Sequence, residues 1–155
     1  MTKRNSTGTD IANVTLTVAK FNPIKTTGLY TDCTVRLDSP SGRVKLNGPK
    51  VLEVTTLAKG PVVFTIQIQP PGLYFPVGIA FAPKSSAKRP RKLGLGAVRA
   101  NFPAHNVCIE GGVLIFIDGC DSGTANAGFE FYVFIQSSSG DGSLGIIDPG
   151  IQHDT

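Results

Sequence analysis

The sequence predicts an all-β fold, an antiparallel β-sandwich of about eight strands. Three observations carry that expectation. Val62, Phe64, Ile66 and Ile68 alternate with Val63, Thr65, Gln67 and Gln69, the period of two expected of a strand with one buried face. Eighteen glycines and eleven prolines spread along the chain fit short strands joined by turns better than helices. The densest apolar stretch, Phe129-Glu-Phe-Tyr-Val-Phe-Ile135, is rich in aromatic and β-branched residues that favour strands.

The elements follow in order. Residues 1–10 read as a polar, disordered tail and residues 11–155 as one sandwich domain. Val14, Leu16 and Val18 alternate with threonines up to Asn22-Pro23, giving a first strand. Cys33, Val35 and Leu37 give a second, closed by Asp-Ser-Pro-Ser-Gly42. Residues 43–46 and 51–57 read as a hairpin around Asn47-Gly48. After the 62–69 strand, Pro70-Pro-Gly72 turns the chain. Leu73, Phe75, Val77, Ile79 and Phe81 then form one apolar face, with Pro76 indicating an edge position or a bulge. Residues 83–104 read as a long basic loop. Residues 107–117 are apolar on both faces around Gly111-Gly112, as in an interior strand with a bulge. The 129–135 strand, a Ser/Gly/Asp turn and a last strand close the chain. Short strands separated by frequent turns suggest an immunoglobulin-like arrangement.

A chain of 155 residues is one domain's worth and buries roughly 70% of the surface its unfolded chain exposes. The net charge of +4 hides a division. Residues 1–99 hold all fifteen Lys and Arg against four acids, a balance of +11, whereas residues 100–155 hold seven acids and neither cation, a balance of −7. Opposite patches either pair within the fold or steer copies together. Three cysteines without Cys-x-x-Cys spacing argue for reduced thiols in a cytoplasmic protein. The basic start lacks a following apolar region of the secretory kind. No apolar run approaches the roughly 20 residues that span a bilayer, so membrane insertion is not expected.

The basic loop offers Lys84, Lys88, Arg89, Arg91 and Lys92 as anion-binding candidates. No aromatic residue is interleaved to stack bases, so nucleic acid is the less favoured partner. Asp118, Asp121 and Asp141 are oxygen ligands on loops, and calcium takes such ligands. Neither the alternating pattern nor the terminal Glu of an EF-hand accompanies them, and they are weak metal candidates. His105 and His153 are the two histidines, and they lack the company that copper or zinc requires. Cys108 and His105 are close enough in sequence to consider as a nucleophilic pair, but a thiol in an apolar strand is expected to be inert. No nucleophile elbow, phosphate-binding loop or carboxylate pair occurs. The sequence thus predicts no cofactor and a non-catalytic role. At the end of the chain, Pro149 restrains Asp148 to an extended conformation in which the chain leaves the sheet, its carboxylate placed to cap backbone N–H groups, and Ile151 pins the tail to the core.

Phe129-x-Phe-x-Val133, the Ser/Gly/Asp turn, Leu144-Gly and Asp148-Pro-Gly-Ile151 resemble the close of the DP-EP family of small bacterial proteins. More loosely, they are similar to the inclusion-body protein family. The resemblance implies an immunoglobulin-like sandwich, with self-association hinted by the looser relation, and supplies no catalytic residues. The leading expectation is an association module acting on itself or on a protein partner. Anion or nucleic-acid binding through residues 84–92 is the second reading. A small-ligand or carbohydrate module using Tyr30, Tyr74 or Tyr132 is the third.

Overall fold

The computed structural model describes residues 10–38, 42–55, 57–84 and 96–154. Eleven strands run through them: β1 (Asp10–Lys20), β2 (Asp32–Leu37), β3 (Val44–Asn47), β4 (Val51–Val54), β5 (Val62–Gln69), β6 (Tyr74–Lys84), β7 (Cys108–Glu110), β8 (Val113–Asp118), β9 (Gly128–Ser137), β10 (Leu144–Ile147) and β11 (Gly150–His153). Two short helices, α1 (Ile24–Thr27) and α2 (Ala97–Asn101), lie in connections. The first sheet has the order β2-β1-β5-β8-β7. In the second, β9 pairs with β6 on one side and with β10 and β11 on the other, and the sheet continues through β4 to β3.

The all-β expectation holds, but the sheets are mixed rather than antiparallel. β1 runs parallel to β5 from Asp10↔Val62 to Thr17↔Gln69, and β11 runs parallel to β4. Strand direction follows from which strands become neighbours after the chain crosses between sheets, and local alternation carries no record of that. Asp10 also departs from the expected tail. It opens β1, and its carboxylate accepts from Arg43 Nη1 at 2.9 Å. The rest of the tail, residues 1–9, lies outside the described residues.

Alternation places the core as expected along β5, where Val62, Phe64, Ile66 and Ile68 are buried. β3 and β4 form the hairpin read around Asn47-Gly48. Two strands differ from expectation. In β6 the pairing with β9 shifts by one residue between Pro76 and Gly78. This bulge inverts the faces: Pro76 is buried while Leu73, Phe75 and Val77 are exposed, and the inward face resumes at Ile79 and Phe81. Residues 107–117 are not one interior strand. Gly111 and Gly112, with φ of 58° and 76°, form a two-residue hairpin turn of the kind that needs positive φ at both positions. β7 is thus an exposed edge, and Cys108 is exposed with it.

Residues 83–104 are not a loop throughout. β6 runs to Lys84, and residues 96–106 form α2 and a 3-10 turn that send Asn101 and Phe102 into the interior. Phe102 stacks on Phe81 with ring centres 4.3 Å apart and meets Phe129 edge-on at 5.1 Å. Phe116 of the first sheet meets Phe81 and Phe131 of the second at 5.2 and 5.7 Å. These rings interlock the two sheets at distances at which aromatic pairs contribute roughly 0.5–1.5 kcal/mol beyond their burial.

Asp148 and Pro149 do not lead the chain out of the sheet. Leu144 faces Gln136, and Gly150 faces Glu130, in one unbroken register along β9. Phe131 N donates to Pro149 O at 3.1 Å across the gap. β10 and β11 are therefore one strand, interrupted where proline has no N–H to give. Among the described residues the Asp148 carboxylate accepts no backbone N–H. Ile151 is buried, so the end of the chain is held in the core as expected.

Gly145 faces inward on this last strand, and a Cβ there would lie 2.7 Å from both the Phe21 ring and Thr31 Oγ1. Residues 21–31 are thereby seated on β10, with Thr31 N donating to Ile146 O at 2.8 Å. Gly145→Ala should cost about 1–3 kcal/mol through overpacking. Gly42→Ala, where nothing lies within 4 Å, should stay within about 0.5 kcal/mol of the parent. Urea unfolding of the two variants checks the contrast.

Candidate functional site

The residues singled out in the sequence are scattered by the fold. Lys84 ends β6 opposite Gly128, while Lys88, Arg89, Arg91 and Lys92 lie outside the described residues. Asp141 stands in the β9–β10 turn, at the far end of β9 from the β8 terminus that carries Asp118. Asp118 is buried, and its two oxygens are taken by Cys120 N at 2.9 Å and His153 Nε2 at 2.6 Å. Asp121 Oδ1 accepts from Gly123 N. Among the described residues no three His, Cys, Asp or Glu side chains group to hold a metal ion. No hydrogen bond joins His105 to Cys108 among the described residues.

The structure brings together a group that sequence reading did not. Asp118, His153, Thr124 and Asn101 form a buried polar node where β8, the 118–124 loop, β11 and α2 meet. Thr124 Oγ1 donates to Asp121 O at 2.6 Å. A hydroxyl has one proton to donate, so with that proton on Asp121 O the 3.0 Å contact with His153 Nδ1 is made by the tautomer that carries a proton on Nδ1. Nε2 of the same ring lies 2.6 Å from Asp118 Oδ2, so each of these buried polar groups has a partner.

The order carboxylate, imidazole, hydroxyl is that of a nucleophilic relay, but the arrangement runs the wrong way. A relay imidazole accepts the hydroxyl proton, whereas here Thr124 gives its proton to a carbonyl. The node ties segments together.

The exposed counterpart is the outer face of the second sheet. Along β9 the outward positions are Gly128, Glu130, Tyr132, Phe134 and Gln136, and the register aligns Leu144, Ile146, Asp148, Gly150 and Gln152 beside them. At one end, Leu73, Phe75 and Val77 of the β6 segment and Leu144 are each 43–49% exposed. In the middle, Tyr30 stacks on Tyr132 with ring centres 6.0 Å apart and planes 27° apart. The Tyr132 hydroxyl donates to Glu130 Oε2 at 2.6 Å, and that carboxylate pushes the phenol up to about 12. At the other end, Gly128 and Gly150 leave a trough of about 280 Å³ bordered by Lys84, Asn47, Val51 and Gln152. Tyr74, the third tyrosine considered, instead packs on Phe21.

The β6 bulge hid the first group from sequence reading, because strict alternation assigned Phe75 and Val77 to the core. The trough gave no local signal, since it forms where five strands meet around Gly128 and Gly150.

Thr124→Val should leave the His153 Nδ1 proton without an acceptor and cost roughly 1–3 kcal/mol in denaturant unfolding. It should also remove the slowly exchanging His153 ring N–H resonance expected of the parent in proton NMR. The thiols give a second test. Burial pushes Cys33 up to about 11 and Cys120 up to about 12, the latter helped by the neighbouring Asp118 carboxylate. A folded value above the unfolded one means the contribution to stability is full below the unfolded thiol's pKa. It is lost as pH rises through 9 toward 11–12. In the native protein at mildly alkaline pH, Cys108 should react with a thiol reagent while Cys33 and Cys120 wait for unfolding; equal reaction of all three would contradict this.

Among the described residues no helix is long and apolar enough to cross a membrane. No family model matches the chain, and no curated protein matches it.

Proposed function

We propose that this protein is a non-catalytic association module that pairs with a second copy of itself through the outer face of its second sheet. The observation that carries the reading is the cluster of Leu73, Phe75, Val77 and Leu144, large apolar side chains exposed together where β6, β9 and β10 end. Large apolar side chains exposed at one end of a sheet, here on either side of Gln136, mark an interaction site.

The edge of the same sheet is blunted. β6 carries Pro76, the bulge at Val77 and Pro83, features that deter strand-to-strand pairing. Association therefore uses the face, in the manner of a sandwich doubled on itself. Charge favours a second copy as the occupant. Among the described residues the ion pairs Arg36–Asp38, Arg43–Asp10 and Lys45–Glu53 lie within the basic part of the chain, and opposite charge on the two parts of the sequence steers copies together. A two-fold axis at the cluster sets Leu73, Phe75, Val77 and Leu144 of the two copies against each other and leaves the Lys84 end of the face uncovered. The looser resemblance of the chain's close to the inclusion-body protein family is in keeping with this role.

Light scattering over a range of concentration and salt tests the proposal. The parent should form a dimer that weakens as salt rises, and Phe75→Asp with Leu144→Asp should be a monomer of unchanged thermal stability. A parent that stays monomeric at all concentrations, or a double variant that still dimerises, overturns it.

A further inference from the structure

We infer that the opposite end of the same face binds a neutral oligosaccharide, with one sugar ring in the trough at Gly128 and Gly150 and another stacked on the Tyr30–Tyr132 pair. Gly128 and Tyr132 lie on the same side of β9 four residues apart, which is about 13 Å along a strand. That separation suits a short chain of sugars rather than a single one.

The chemistry of the lining selects the ligand. Asn47 Nδ2 donates to Glu53 Oε2 at 2.8 Å, and Gln152 Nε2 donates to His153 O at 2.9 Å. Both partners can only accept, so each amide is held with its carbonyl oxygen left to accept from a ligand. Lys84 supplies donors at the rim, and Glu130 stands between the trough and the tyrosines as a further acceptor. Acceptors and donors interspersed around a small apolar trough match hydroxyl groups, which do both. One lysine against a carboxylate gives no field for an anionic ligand. The tyrosine pair offers a flat aromatic surface for the apolar face of a pyranose. Glycine keeps the trough open: a Cβ at Gly128 would come within 3.1 Å of Gln152 Oε1.

The trough is separate from the Phe75–Leu144 cluster, so the inference does not rest on the association reading. The test is a titration of the full chain, observed by amide NMR, with neutral gluco-, manno-, galacto- and xylo-oligosaccharides of increasing length and with the monosaccharides. At least one series should shift residues of the trough and of the tyrosine pair together, with affinity rising with length. Tyr132→Ala and Tyr30→Ala should each lower affinity about tenfold, and Gly128→Val should abolish trough shifts. Because Gly128 is packed, Lys84→Ala serves as a second, surface variant and should weaken binding without altering the fold. The parent's shifts should persist in the Phe75→Asp, Leu144→Asp double variant. No shift with any sugar, or an affinity unchanged by Tyr132→Ala and Lys84→Ala, overturns the proposal. So does saturation of the same residues by an extended peptide in place of a sugar.

Discussion

The structure depends on the hydrogen bond between Asp118 and His153. It joins the last residue of β8, in the first sheet, to the last residue of β11, in the second, at a point from which water is excluded. A lone carboxylate or imidazole there would be costly; together, with Thr124 and Asn101 taking up the remaining positions, every polar atom is satisfied. The tie also fixes α2, since Asn101 Oδ1 accepts from Asp121 N at 2.9 Å and Gly119 N donates to Asn101 O at 2.7 Å. Phe102 is thereby delivered into the aromatic interlock. Apolar packing holds the sheets together, and the polar node sets which end of one lies over which end of the other.

That placement determines what the second sheet can offer outward. Fixing β11 between β9 and β4 aligns Gly150 beside Glu130 and Val51, which opens the trough. Seating residues 21–31 on β10 through Gly145 brings Tyr30 against Tyr132. Beneath it, Phe129, Phe131, Val133, Ile135, Ile147 and Ile151 fill inward positions of β9, β10 and β11. The outer face is thus a rigid surface, set by packing on the opposite side of the same strands, and rigid surfaces bind with little ordering cost.

Where a strand's chemistry is local, the sequence already shows it. The alternation of β5 and the Asn47-Gly48 hairpin were legible because a buried face and a tight turn impose residue types within a few positions. The aromatic strand β9 was legible for the same reason. Parallel pairing of β1 with β5 was not, because it depends on chain crossings far from either strand. Nor was the phase of β6: one extra residue at Val77 moves Phe75 from the core to solvent while leaving the pattern of apolar letters intact. The Asp118–His153 contact spans 35 residues, and neither residue has neighbours that mark it. Of the candidate surface, Tyr30, Tyr132 and Lys84 were identifiable as residues, but their convergence on one face was not.

The two ends of this face differ for a physical reason that links them. Where β6 bulges, the strand turns large apolar side chains outward, and the surface gains by being covered. Beyond the bulge the outward positions of β6 become Gly78, Ala80 and Ala82, too small to shield Tyr132 or the trough. One shift of register therefore produces both an apolar cluster and a flat, polar-rimmed platform along the same pair of strands. A uniform β6 would have either buried the first or crowded the second.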